Sequence, residues 1–381
     1  MLLAFALVGL VLPAAAASKH GPRTRPDVIA YLFPRDHVIQ PGEIAASKLT
    51  RINYAFANIQ DGQIVILSPA DAPNLATLVG LKKENPSLQI VISVGGWLWS
   101  GHFSDAALTP ESRTRFVDSV VAFVEKYNLD GLDIDWEFPG ETGAGNRFRP
   151  EDGANFNLLV VQLRQRFNRE QTKLGRHLIL SMAAGANDDF LQNTPMREIA
   201  RSLDTVNLMA YDYYEPGDEG TTGNHAPLYT DPTDPRHISA DTSVRHCEQA
   251  GVPASKIALG VPFYGHVWGH VPNVNHGLFQ PGSAAPNTYG RYDMIDNMLK
   301  QGFTRYWDDA SKVPYLYNPD KQMFVSYEDP ESLAIKCAYI ERMHLAGIMF
   351  WEYNSDPSGA LLNAIDNAFS GKSPTNAEGG R

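Results

Sequence analysis

Eight short apolar runs recur along the chain, and amphipathic helical patterns follow most of them. They are DVIAYLF (27–33), RINYAFANI (51–59), QIVISVGGW (89–97), DGLDIDWEF (130–138), HLILSMAAG (177–185), TVNLMAYDYY (205–214), KIALGVPFYG (256–265) and GIMFWEY (347–353). Runs that are apolar on both faces need cover on both sides, as in a parallel sheet wrapped by helices. Eight such units in 381 residues fit a closed (β/α)8 TIM barrel better than an open doubly wound sheet. Between the runs, Phe116, Val120, Phe123, Val124 and Tyr127 recur at helical spacing. Thr109 can cap that helix, Pro110 opens its first turn, and Glu111 favours its positive end. Phe156, Leu159, Val160, Leu163 and Phe167 form a second stripe of the same kind.

The spacing breaks once. Residues 266–329 are rich in Gly, Pro, Asn and aromatic residues, with short alternating pieces such as QMFVSYED. They predict a small α+β insertion between strand seven and helix seven of a barrel made of 18–265 and 330–370. Residues 371–381 have the composition of a disordered tail.

The first seventeen residues carry no charged side chain and end in small residues near Ala15, Ala16 and Ala17. They have the look of a signal peptide, although a basic leading segment is missing, so a secreted or periplasmic protein is expected. No other run approaches transmembrane length, and no membrane association is expected after cleavage. Two cysteines, Cys247 and Cys337, leave either one bridge or two buried thiols, with the second favoured. A net charge of −11 without any Lys/Arg run argues against a nucleic-acid partner. A monomer acting on a neutral ligand fits these totals, and no cofactor is called for.

The fourth run raises a question of cost. In DGLDIDWEF, Asp133, Asp135 and Glu137 alternate with Leu132, Ile134, Trp136 and Phe138. Strand side chains alternate between faces, so the acids share one face and the apolar residues pack under helices on the other. Three carboxyls so close in a low-dielectric interior cannot all be ionised, and at least one proton is retained or shared. Glu137, nearest the barrel mouth, is where a proton-holding general acid would be useful. An ion-pair cluster would need basic residues on facing strands, which are nearly lacking. Three acids on one strand cannot easily surround a metal ion, and the strand ends supply no histidine, so no metal is expected. Asp130 is read as a brace of the strand end.

Together, DGLDIDWE, SVGGW (93–97), MAYDYY (209–214), GVPFYG (260–265) and GIMFWEY resemble, in order, the landmarks of glycoside hydrolase family 18, the chitinases. The likeness covers about 26–370, and the insertion resembles that of the deep-cleft subfamily. It implies hydrolysis of β-1,4-N-acetylglucosamine linkages in chitin and chito-oligosaccharides, endo-acting, with Glu137 protonating the glycosidic oxygen. Asp135 would turn between Asp133 and Glu137, while Tyr211 and Asp212 would hold the substrate's acetamido group beside Met209. Trp351 would floor the distorted sugar, and Trp97 would stack on the sugar across the scissile bond. Tyr31 and Ser93 would support Asp133, Tyr264 would line the cleft, and Phe56 and Gly96 belong to the same substrate-binding set.

A two-carboxylate retaining glycosidase needs its nucleophile about 5 Å from the acid, across the sugar. Asp135 is instead a strand neighbour on the acid's own face. The resemblance implies that the substrate's N-acetyl oxygen attacks, with retention of configuration. One departure stands out: the residue after PFYG is often arginine in the family, and here it is His266. A chitin-binding lectin on the same barrel, or a hydrolase of another N-acetylglucosamine polymer, are the competing readings.

Overall fold

A computed structural model describes residues 25–217 and 220–371. The expected signal peptide (1–17) and all but the first residue of the expected tail lie outside the described residues. The first eight strands are β1 (Asp27–Leu32), β2 (Arg51–Gln60), β3 (Gln63–Ile66), β4 (Gln89–Gly95), β5 (Gly131–Asp135), β6 (Ile179–Gly185), β7 (Thr205–Met209) and β8 (Ile257–Pro262). An antiparallel set follows, comprising β9 (Tyr264–Gly269), β10 (Ser283–Arg291), β11 (Thr304–Asp308), β12 (Val313–Asn318) and β13 (Met323–Ser326), before the last strand, β14 (Gly347–Trp351).

Strands β1, β2, β4, β5, β6, β7, β8 and β14 pair in parallel, in that order, and β14 returns to β1 to close the barrel. The chain therefore forms a (β/α)8 barrel. β3 folds back antiparallel on β2, a hairpin that the apolar pattern did not reveal. The second sheet runs β10-β9-β13-β12-β11 and has its own aromatic core, in which Trp268, Tyr317 and Phe324 are fully buried.

The helices close over the outer faces of the strands. Thr109 caps the helix Pro110–Lys126 in a reciprocal pairing with Ser112, and Phe116, Val120 and Val124 are buried beneath it. The helix Asp152–Leu174 buries Phe156, Leu159, Val160, Leu163 and Phe167 and stops at Gly175, whose left-handed conformation suits glycine. Cys247 and Cys337 are free and buried. Lys336, in the helix Pro330–Arg342, makes a buried ion pair with Glu328 and donates to the Ala226 carbonyl at 2.6 Å. That pair fastens the end of the second sheet to the barrel. No helix among the described residues is long and apolar enough to cross a membrane.

Candidate active site

The acidic face of β5 falls into two levels. At the lower one Asp133 is fully buried and accepts four hydrogen bonds. Tyr31 Oη and Ser93 Oγ donate to Oδ2, each at 2.8 Å, while Ser181 Oγ (2.6 Å) and Asn207 Nδ2 (3.0 Å) donate to Oδ1. Strand register explains two of them, because Ser93 on β4 and Ser181 on β6 both pair directly with Asp133. Burial raises the Asp133 pKa, and the hydrogen bonds from Ser181, Tyr31 and Ser93, with the charge of Arg51, oppose the rise. Arg51 is itself buried and donates to Thr205 at 2.8 Å, so a cation does stand inside the barrel.

The upper level is made differently. Asp135 is buried, and its Oδ1 has no hydrogen-bond partner among the described residues. Burial, then the charges of Glu137 and Asp133, push its pKa well above the carboxylate range. Glu137 is pushed up to about 8 by burial, then by the charges of Asp212 and Glu215. The sequence suggests the acids beneath Glu137 as its perturbers. The structure adds two from the segment after β7. At neutral pH the Asp135–Glu137 pair holds a proton.

β5 ends at Asp135, two residues before Glu137, and its last carbonyl still bonds across to the β4 side. The Asp135 carbonyl accepts from Gly96 N–H at 2.7 Å and from Ser100 Oγ at 3.0 Å, and Ser100 Oγ in turn accepts from Glu137 N–H at 2.9 Å. Only glycine fits at 95, with φ at 104° and a Cβ position 2.1 Å from the Asp135 carbonyl oxygen. The alternation inferred for the strand therefore fails at its end. Phe138, expected to pack under the helices, turns to the mouth, where its ring lies 6.4 Å from Trp97 and 5.9 Å from Phe190. Leu132, Ile134 and Trp136 do pack outward, with Trp136 stacked 5.3 Å from Phe103. Asp130 braces the strand start by accepting from Ile90 N–H, Lys82 and Arg176.

A cleft of about 1000 Å³ opens above these acids. Tyr31, Phe56, Trp97, Asp135, Glu137, Met209, Tyr211, Asp212, Tyr264, His266 and Trp351 all line it. Ser93 and Gly96 do not. Ser93 lies below, on Asp133, and Gly96 lets the Phe56 ring close in, since a Cβ there would sit 2.6 Å from it. Trp351 stacks on Phe56 at 5.4 Å and meets Tyr31 at 5.9 Å, whereas Trp97 stands half exposed beside Phe138. The Ala55–Phe56, Glu137–Phe138 and Trp351–Glu352 peptide bonds are cis.

The far wall carries a second polar cluster. Tyr264 Oη donates to the Asp212 carboxylate, 2.6 Å from each oxygen, and His266 Nε2 lies 2.8 Å from Oδ1. His225 Nδ1 lies 3.4 Å from the same oxygen. Burial would raise the Asp212 pKa, but the bonds from His225 and His266 and their charge hold it well below the usual range. Burial, with the repulsion of His266, lowers His225 to about 4. Sequence reasoning missed Ser181, Asn207, His225, Glu215 and Tyr289. The first two were detectable as lone polar residues in apolar runs. Tyr289 comes from β10 to stack 4.5 Å from Tyr264, a position that only the second sheet determines.

Such a mouth is suited to handing a proton to an ether oxygen while flat aromatic walls hold a ring, which is the work of a barrel glycosidase. Sequence comparison agrees: residues 27–356 match Glycosyl hydrolases family 18, and the chain belongs to that family. Chitinase A1 of Niallia circulans is 35% identical over 385 residues, covering 85% of this chain and 55% of its own length. The chain thus spans about half of that relative. A solved family 18 N-acetylglucosaminidase from Paenibacillus barengoltzii is 40% identical with a TM-score of 0.81, covering 90% of this chain and 99% of its own. A class V chitinase of Nicotiana tobaccum, solved in complex with NAG4, is 27% identical with a TM-score of 0.82, covering 91% of this chain and 99% of its own.

Proposed function

We propose that this glycoside hydrolase cleaves β-1,4-N-acetylglucosamine linkages of chitin and chito-oligosaccharides by a retaining, substrate-assisted mechanism. The observation that carries the proposal is the buried, unpartnered Oδ1 of Asp135 beside a proton-holding Glu137. A buried acceptor left unmet by the protein at the base of the cleft is expensive, and the N–H of a 2-acetamido group on the bound sugar meets it.

Glu137 donates its proton to the glycosidic oxygen as that bond breaks. The acetamido carbonyl oxygen, oriented by Asp135 and Tyr211, attacks the anomeric carbon and forms an oxazolinium ion, whose charge the nearby carboxylates stabilise. Water, deprotonated by the Glu137 carboxylate, opens that ring on the original face, so configuration is retained and Glu137 regains its proton. Trp351 floors the reacting sugar, Trp97 stacks on the sugar beyond the scissile bond, and Asp212 holds the acetamido side with Met209 and Tyr264. Asp133 supports Asp135 from below. The chain works as an exported protein, on the strength of its N-terminal sequence, and takes no resident cofactor.

The bound NAG4 of the tobacco chitinase supports the substrate class. The likeness to an N-acetylglucosaminidase favours a second reading, in which single sugars leave from chain ends. Digestion of a chitin hexamer, followed by product size and anomeric form, tests both. Retained anomers of several lengths are expected. Monomer alone would replace endo with exo action, and inverted products would overturn the mechanism.

A further inference from the structure

We propose that Asp212, His225 and His266 form a binding site for a borderline divalent transition metal, zinc foremost, and that a metal bound there blocks the cleft. The three side chains come from separate parts of the fold. Asp212 follows β7, His225 sits in the segment that reaches Ser326 through its backbone N–H at 2.9 Å, and His266 is fixed in β9 between β10 and β13. Their donor atoms all lie within 4.8 Å of one another. Asp212 Oδ1 is 2.8 Å from His266 Nε2 and 3.4 Å from His225 Nδ1. Ligands on a tetrahedral zinc, at bonds of about 2.1 Å, stand roughly 3.4 Å apart, so small side-chain shifts would admit the ion. Two imidazoles and one carboxylate suit zinc, copper or nickel, whereas magnesium and calcium want oxygen alone.

Three protein ligands leave a fourth position open. Asp212 and His266 line the cleft and about a third of the Asp212 side chain is exposed, so that position faces the substrate's space. Tyr264 also bonds Asp212 Oδ2 and need not leave. The affinity has a limit written into the site. His225 Nε2 and His266 Nδ1 are buried with no hydrogen-bond partner among the described residues. A ligating imidazole carries its proton on the far nitrogen, and each missing acceptor there weakens binding roughly 10- to 100-fold. The site is therefore a weak brake, loaded when metal is abundant. The arginine that the family often carries at 266 could not ligate at all.

Blocking, though not binding, rests on the reading that Asp212 holds the acetamido group. The test uses the full chain in a non-chelating buffer, titrated with zinc chloride by calorimetry and with cobalt(II) by visible absorption. One zinc per chain is expected, with intense tetrahedral cobalt bands, and both are to weaken at least tenfold in His266→Gln and in His225→Gln. His225 is buried, so His266→Gln decides the matter if the other variant does not fold. Zinc should also inhibit cleavage of a chitin oligomer reversibly, with EDTA restoring it, and excess magnesium should do neither. Zinc binding unchanged in His266→Gln, or no zinc bound by the wild-type chain, would overturn the site. Zinc bound as expected by a chain that cleaves no acetylated oligomer would uphold the site and overturn the proposed activity.

Discussion

Asp133 and Asp135 sit two residues apart on one face of one strand, yet their surroundings are opposites. Asp133 receives four hydrogen bonds and does not itself line the cleft. Asp135 lines the cleft and keeps one oxygen unmet. Burial is common to both, so burial is not what separates a supporting acid from a working one. The difference lies in which polar demands the protein meets itself and which it leaves for a ligand.

That contrast can be broken by substitution. Glu137→Gln should show the largest effect, a loss of roughly 1000-fold in hydrolysis of an acetylated oligomer with binding kept, since proton donation is what it removes. Turnover near the wild-type rate would place the acid elsewhere. Asp133→Ala should follow, lowering stability by about 3 kcal/mol in a denaturant melt, because several buried donors lose their acceptor together. Asp135→Ala should leave stability unchanged or raised, as it deletes an unpartnered buried carboxyl. Equal losses from the two alanine variants would erase the distinction between the levels.

Asp135→Asn should cut hydrolysis by about 100-fold, with Tm little changed, because an amide orients the acetamido group less well than a carboxyl. Ser93→Ala should cost about 1 kcal/mol of stability, the share of one donor among four, and little rate.

Much of this was legible in the chain. The barrel followed from the eight apolar runs, and the inward acids from simple alternation. The end of β5 was not, because past Asp135 the backbone N–H of Glu137 turns to a side chain from another segment, Ser100, which no alternation pattern reveals. Ser181 and Asn207 were visible in principle, as lone polar residues in apolar strands whose only use is to meet something buried. Glu215, His225 and Tyr289 were not, since their approach to the cleft is set by loops and by strand pairings in the second sheet that the sequence does not specify. His266 departs from the family's usual arginine, but only the fold sets Asp212 and His225 beside it.

The protonation of Glu137 also carries a sign for stability. Its folded pKa, about 8, lies above its ordinary value of 4.5, so the native state keeps a proton that the unfolded chain gives up. This contribution is full below pH 4.5 and fades as pH rises through about 8. Glu137→Gln should accordingly gain in Tm relative to wild type as pH rises across that window, and the wild-type rate should fall on its alkaline side near pH 8.

The most direct test is to see the proton itself. Infrared difference spectra of wild-type chain against Glu137→Gln, taken across pH, report whether that carboxyl is protonated. A protonated-carboxyl band is expected at neutral pH and should titrate away near pH 8. A band already half gone at pH 4.5, the ordinary glutamate value, and absent at neutral pH would overturn this expectation.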